Sequence, residues 1–368
     1  MPAGPHAVGF RVIWIDATGP GSTAPSPNRA CDRRLRVLLW YPSAIVGHAV
    51  KATLATYVAA TRSPPSDSSA PVGGSTVWEA ADSRAFVRDS ATVAQVNDFA
   101  TAPLDAREIG LMLATPAMAV PRAAPARGRY HLVLLGNGLG PPFFIHWALG
   151  EYLAGRGYTV AALGGAICEE PRQLDLSGVA AISRDMNVVV KKLTALSDVD
   201  PARIGLVGWS VGGLAQAFMA VTNTNVRALV SLDGAMGYEY GRQLLDSATW
   251  IEQTHFTTPF AHLTGDATPQ RVVAKSFAFY DSITRGPAYL LHFRPLSHAQ
   301  FTSLGVLAAQ SLKSPDPRPV TKAYAAVAQY TAWFLDAYVR GDRAAAAQLG
   351  CPWEPLNLTH ADLSLERH

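Results

Sequence analysis

The sequence predicts an α/β fold, a mostly parallel sheet covered by helices on both faces. Three observations carry this. Short apolar runs bounded by Gly, Pro and polar residues alternate with amphipathic stretches of ten or more residues, the pattern of βαβ units. A chain of 368 residues that is 49% hydrophobic can bury a large core, and α/β folds of this length often form one unit. Finally, Arg203–Ala220 reads as a buried strand, a sharp turn and a helix, and the turn Gly208-Trp209-Ser210-Val211-Gly212 fits G-x-S-x-G.

In order along the chain, Val8–Asp16 and Arg34–Tyr41 read as two strands of an antiparallel hairpin at a sheet edge, the second stopped by Pro42. Gly19–Asn28 and Ser63–Ser75 are Gly/Pro/Ser loops. Two weak helical patterns lie between Val77 and Pro121, and Pro121–Gly128 is a basic Pro/Ala linker. Then come strand His131–Gly136, helix Phe143–Arg156, strand Gly157–Leu163 and helix Leu176–Leu196. After strand Arg203–Gly208 and its helix, Val226–Leu232, Pro259–Thr264 and Ala288–Phe293 are strands, and Tyr324–Arg340 is a closing helix. The expected organisation is a single domain over 1–368, with an irregular segment at about 55–128 inserted before the core and a polar tail at about 351–368.

Composition excludes several functions. With 16% charged residues, a net charge of +3 and no basic stripe interleaved with aromatics, nothing favours nucleic acid. The apolar run at Gly157–Ala166 is too short and too broken by glycine to span a bilayer. Met1–His6 lacks the basic and apolar regions of a signal peptide, so the expected compartment is cytoplasmic; a leader removed ahead of the first strand would make it periplasmic or secreted. Cys31, Cys168 and Cys351 are widely spaced and odd in number, which favours free thiols. The histidines show no H-x-x-x-H or H-E-x-x-H spacing, so no metal is expected, and no dinucleotide fingerprint points to a cofactor.

The chemistry gathers around Ser210. A serine hydroxyl on a tight turn needs neighbours almost free of side chains, which Gly208 and Gly212 provide, while Gly213 lets the helix pack close to the strand. Serine is a poor nucleophile unless a base takes its proton and an acid orients that base. The downstream histidines are His255, His262, His292, His298, His360 and His368; His262 and His292 lie within strands, and His360 and His368 in the tail. His298, in the loop after the last core strand, is the candidate base. Two aspartates at strand ends are candidate acids. Asp233 follows the strand after the elbow helix; Asp266 directly follows Gly265, and Thr268 stands where an acid on that later strand would be expected. Asp233 is favoured and Asp266 is the alternative. Stabilising an oxyanion takes two backbone amides. Val211, following the nucleophile, supplies one, and the loop Gly136–Gly140 the other, assigned to Leu139 with Gly138 and Gly140 as alternatives.

These residues resemble the α/β-hydrolase superfamily and, within it, the platelet-activating-factor acetylhydrolase and dienelactone-hydrolase-like group. Leu39-Trp40-Tyr41-Pro42 resembles that group's early strand end, Gly138-Leu139-Gly140 its oxyanion loop, Gly208–Gly213 its elbow, and Asp233 with Ser297–Phe301 its acid and base segments. The resemblance covers roughly Val8 to Arg340. It implies an α/β-hydrolase fold and a serine hydrolase acting on small-molecule carboxylic esters through an acyl-enzyme. It supports Asp233 as the acid and implicates the Leu139 and Val211 amides. Asn137 and Trp209 stand where that group usually has histidines, so both are expected to touch substrate. Because the elbow residue is Ser210, the cysteine mechanism of true dienelactone hydrolases is not expected. An amidase, thioesterase, peptidase or acyltransferase would share the triad, and a non-catalytic binding module is a further alternative. Met236, Tyr238, Tyr240, Trp250 and Phe256 either line an apolar acyl pocket or pack as ordinary core. Oligomeric state is not legible.

Overall fold

The computed structural model describes residues 4–17, 34–44, 49–61, 87, 89–100, 102–140, 143–166, 173–249, 256–266, 274–311 and 316–368. Its centre is a ten-stranded sheet in the order β10-β9-β8-β7-β6-β4-β5-β2-β1-β3. The parallel heart is β4 (Tyr130–Gly136), β5 (Thr159–Ala166), β6 (Val199–Trp209), β7 (Val226–Leu232), β8 (Phe260–Gly265) and β9 (Ala288–Phe293). β1 (Ala7–Asp16) and β2 (Arg34–Ser43) pair antiparallel and join the sheet through β2 and β5. The β2–β5 pairing ends at Trp40 and Val160, so Pro42 lies beyond it and the strand runs on to Ser43 rather than stopping.

Alternation along the strands builds two apolar layers. Leu38 and Trp40 of β2 with Val133 and Leu135 of β4 face one side, which packs on helices α4 (Trp147–Gly155) and α10 (Arg318–Leu335). Val37, Leu39, Leu132 and Leu134 face the other, which packs on α5 (Leu176–Leu193) and α6 (Val211–Thr222). Some helix starts carry polar caps: the Asp175 carboxylate accepts from the Gly178 amide at 2.8 Å to open α5.

The described part of the inserted segment holds more regular structure than its sequence implies. It holds α1 (Leu54–Ala60), α2 (Ser90–Asn97) and α3 (Ala106–Leu113), the last two where the weak helical patterns lie. The basic linker starts with β3 (Val120–Pro121), which pairs parallel to β1. Both Gly/Pro/Ser loops, Gly19–Asn28 and Ser63–Ser75, lie outside the described residues.

The chain end also differs from expectation. In place of a polar tail, α11 (Arg343–Gln348) leads to β10 (Leu363–Arg367), which pairs antiparallel with β9. Leu363 is fully buried, and its carbonyl accepts from Trp353 Nε1 at 2.8 Å. The alternation of Leu363 and Leu365 with polar residues is the signal. The closing helix starts earlier than expected and passes into a π-helical turn over Asp336–Arg340, ended by Gly341 at φ 78°. Cys351 is a free, exposed thiol; Cys31 and Cys168 lie outside the described residues.

Candidate active site

The elbow forms at the junction of β6 and α6. Ser210 adopts φ 54° and ψ −131°, a conformation rare for a residue with a side chain and one that persists only when its surroundings hold it. Those surroundings require glycine. A Cβ on Gly208 would stand 2.4 Å from Gly213 Cα, and one on Gly212 would stand 2.2 Å from the Asn137 carbonyl. The Ser210 carbonyl accepts from Gly213 N at 3.1 Å and Ala235 N at 2.8 Å, which ties the elbow to the loop after β7. Val211 opens α6, where first-turn amides have no intrahelical partner and the helix dipole is positive.

Asp233 ends β7 at φ 44°, buried to 1% exposure. Its Oδ2 accepts from His298 Nδ1 at 2.7 Å and from the Tyr238 hydroxyl at 2.5 Å, and its Oδ1 from Thr264 at 2.7 Å. Burial pushes the carboxyl pKa up. The hydrogen bonds and charge of His298, with the Tyr238 and Thr264 donors, outweigh burial and hold it well below the usual range. An ionised carboxylate only accepts, so His298 carries its proton on Nδ1 and leaves a lone pair on Nε2. His298 begins a short 3-10 turn, His298–Phe301, braced by Gln300 Oε1 accepting from Ser297 N at 2.8 Å.

Asp266 does not join this pair. It is half exposed, 3.6 Å from His292 Nδ1 and 3.8 Å from Lys275 Nζ. The other described histidines downstream of Ser210 have partners of their own. His262 is buried with Nδ1 2.9 Å from Ser231 Oγ, and burial lowers its pKa to about 4. His360 packs on Trp353, and His368 Nε2 lies 2.8 Å from the Ile283 carbonyl. His255 is outside the described residues.

The loop after β4 presses on Ser210. A Cβ on Gly138 would stand 2.7 Å from Trp209 Cζ3 and 3.2 Å from Ser210 Cβ. Leu139 is half-buried beside it, and Gly140 takes φ 83°. Asn137 is buried, and its Nδ2 donates to the Leu163 carbonyl at 3.1 Å, bracing the loop against the end of β5.

Trp209 is placed as a support for His298. It is nearly buried, its ring stacks on His298 with centroids 4.6 Å apart, and its Nε1 donates to the His298 carbonyl at 2.9 Å. Phe99, from the inserted segment, lies 5.8 Å away on the same ring. Of the aromatic-rich segment, Met236 and Phe256 are core residues, Tyr238 binds Asp233, and Tyr240 stacks on Tyr238; Trp250 lies outside the described residues. The donors on Asp233, Tyr238 and Thr264, and Lys275 behind Thr264, were not among the residues the sequence marks for the acid. Thr264 had a usable signal, being polar at the C-terminal end of the strand beside β7; Tyr238 and Lys275 had none.

Among the described residues, no group of three or more His, Cys, Asp or Glu is placed to hold a metal ion, and no helix is long and apolar enough to cross a membrane. The sheet order, the elbow between β6 and α6 and the helical layers define an α/β-hydrolase fold. No protein-family model and no curated protein matches the sequence. In structure the chain is similar to a ferulic acid esterase from Streptomyces cinnamoneus, with TM-score 0.62 over 99% of this chain and 98% of that one, at 20% identity. At that identity the likeness is one of fold.

Proposed function

We propose that this protein is a serine hydrolase of carboxylic esters, with Ser210 as nucleophile, His298 as base and Asp233 as the acid that orients it. The observation that carries the reading is the His298–Asp233 pair, 2.7 Å apart, beside a serine held at positive φ on a strand–helix elbow. Ser210 Oγ attacks the acyl carbon while His298 Nε2 takes its proton. Asp233 stabilises the imidazolium, and the Val211 and Leu139 amides hold the tetrahedral oxyanion. Collapse of that intermediate breaks the ester C–O bond, and the alcohol leaves with the proton from His298. Water, deprotonated by His298, then releases the acid from Ser210. The resemblance to the acetylhydrolase and dienelactone-hydrolase-like group supports the same assignments, and the fold neighbour is itself named for an esterase activity.

The test is a panel of p-nitrophenyl esters of graded acyl length with methyl ferulate, matched thioesters and amides, read for the parent and for Ser210→Ala. Turnover on esters that falls by about 10³-fold or more in Ser210→Ala is expected; equal rates would sink the assignment. Asp233→Asn should lose about 10³-fold, and Asp266→Asn should stay within about twofold of the parent. The reverse order would transfer the acid role to Asp266.

A further inference from the structure

Tyr238 and Lys275 reach the buried acid as a unit. Glu239 N donates to the Ala274 carbonyl at 2.9 Å and Ser276 N to the Gly237 carbonyl at 3.0 Å, so Tyr238 and Lys275 face each other across an antiparallel bridge. From this bridge the Tyr238 hydroxyl donates to Asp233 Oδ2, the same oxygen that accepts His298 Nδ1. Lys275 Nζ donates to Thr264 Oγ1 at 2.7 Å and also to the Gly265 carbonyl. An ammonium has no acceptor, so Thr264 Oγ1 accepts from Lys275 and its own hydrogen is left to point at Asp233 Oδ1. The carboxylate charge is thus divided between His298 and two further donors, one backed by a full positive charge.

Resting on the assignment of Ser210, His298 and Asp233 above, we propose that Tyr238 and the Lys275–Thr264 pair are positioning residues that set how strongly Asp233 holds the protonated form of His298. They therefore fix the pH below which the site falls silent. Each donor that draws on the carboxylate weakens its field at the imidazolium, so the neutral, proton-accepting form of His298 survives to lower pH. The surroundings agree in sign. His262, the other titratable group beside Asp233, is held neutral by burial, and Tyr240 stacks on Tyr238 without a charge. Asp266 lies 3.8 Å from Lys275 and next to His292, so it screens the lysine only from its exposed side. Trp209 and the edge of Tyr238 complete the setting of His298.

The experiment measures the pH profile of kcat/KM on p-nitrophenyl acetate for the parent, Tyr238→Phe and Lys275→Met. In both variants the acid limb should move up by about 0.5 to 1 pH unit, because a hydrogen bond to a charged group is lost. An acid limb within about 0.2 unit of the parent in both, with only the plateau lowered, would show that these residues merely support the fold and would overturn the proposal. Lys275 is partly exposed, so Lys275→Met carries the test if Tyr238→Phe fails to fold. NMR titration of ring-labelled histidine in a Ser210→Ala background, with His298→Gln assigning the signal, reads the same shift without turnover. A Ser210→Ala variant that keeps parental activity would refute the esterase reading on which this rests, whereas an unmoved His298 signal in both variants beside an inactive Ser210→Ala would overturn this proposal alone.

Discussion

Gly138 lies where the loop after β4 meets Ser210, and it shows how little room a single residue has there. A methyl group at this position would collide with Trp209 and crowd Ser210. Gly138→Ala should therefore lower kcat/KM by about 10- to 100-fold with little change in unfolding midpoint, as expected when an oxyanion donor is displaced; an unchanged kcat/KM would count against the loop's role. Two buried histidines make a second prediction. Burial lowers His262 to about 4 and His146 to about 3, and among the described residues neither His146 nitrogen has a hydrogen-bond partner. In the unfolded chain histidine titrates near 6.5, so below that pH the unfolded state takes up protons that the folded state refuses. Stability is thus unaffected by these groups above that pH and drains away as pH falls toward the folded values. Each should cost on the order of 2–3 kcal/mol by pH 4.5. Urea titrations at pH 7 and 4.5 should show a smaller fall for His146→Phe than for the parent; an equal fall would mean that His146 is already charged when folded. Ser210, Asp233 and His298 were legible because each follows a strand where the chain must turn at the sheet's C-terminal edge. Tyr238 and Lys275 were not, because a donor to a buried carboxylate leaves no spacing pattern, and a one-residue bridge alone brings the two together.

At the scale of elements, the inserted segment is fastened by one buried carboxylate. Glu151, on α4, accepts from the amides of Met118 at 2.9 Å and Ala119 at 2.8 Å and from the Tyr57 hydroxyl at 2.6 Å, while Trp40 Nε1 donates to that hydroxyl at 3.0 Å. Burial pushes the Glu151 pKa up and these donors pull it partly back. Glu151→Leu would strand two amides and a hydroxyl in the core, at a cost of about 3–5 kcal/mol. The same change should lower kcat/KM, because the segment brings Phe99 onto Trp209. A urea midpoint and a rate unchanged from the parent would show that the fastening is idle. Eight of the ten strands were readable to within a few residues, since their apolar runs are bounded by turn residues; β3 and β10 fell in the expected linker and tail. Helix α1 was not: it has only seven residues, and its capping box uses Thr53 and Thr56 instead of the usual acidic or amide residue at the second position.

At the scale of the whole molecule, the C-terminal residues close one edge of the sheet. β10 covers β9, and the Ala288 and His368 backbones exchange hydrogen bonds of 2.9 and 3.1 Å. Removing residues 358–368 would bare β9 and its unpaired groups, so a lower melting temperature and higher-order species on size exclusion are expected; a monodisperse product with parental melting would show the edge to be dispensable. The pairing also fixes a direction. Leu363 sits opposite Phe293, near the loop that carries His298, whereas the final residue sits opposite Ala288, where β9 begins. Anything joined beyond His368, whether a linker to a solid support or a fused reporter, would leave from the end of the sheet remote from Ser210. A bead-bound preparation attached through that terminus should therefore admit bulky esters as readily as the free protein does.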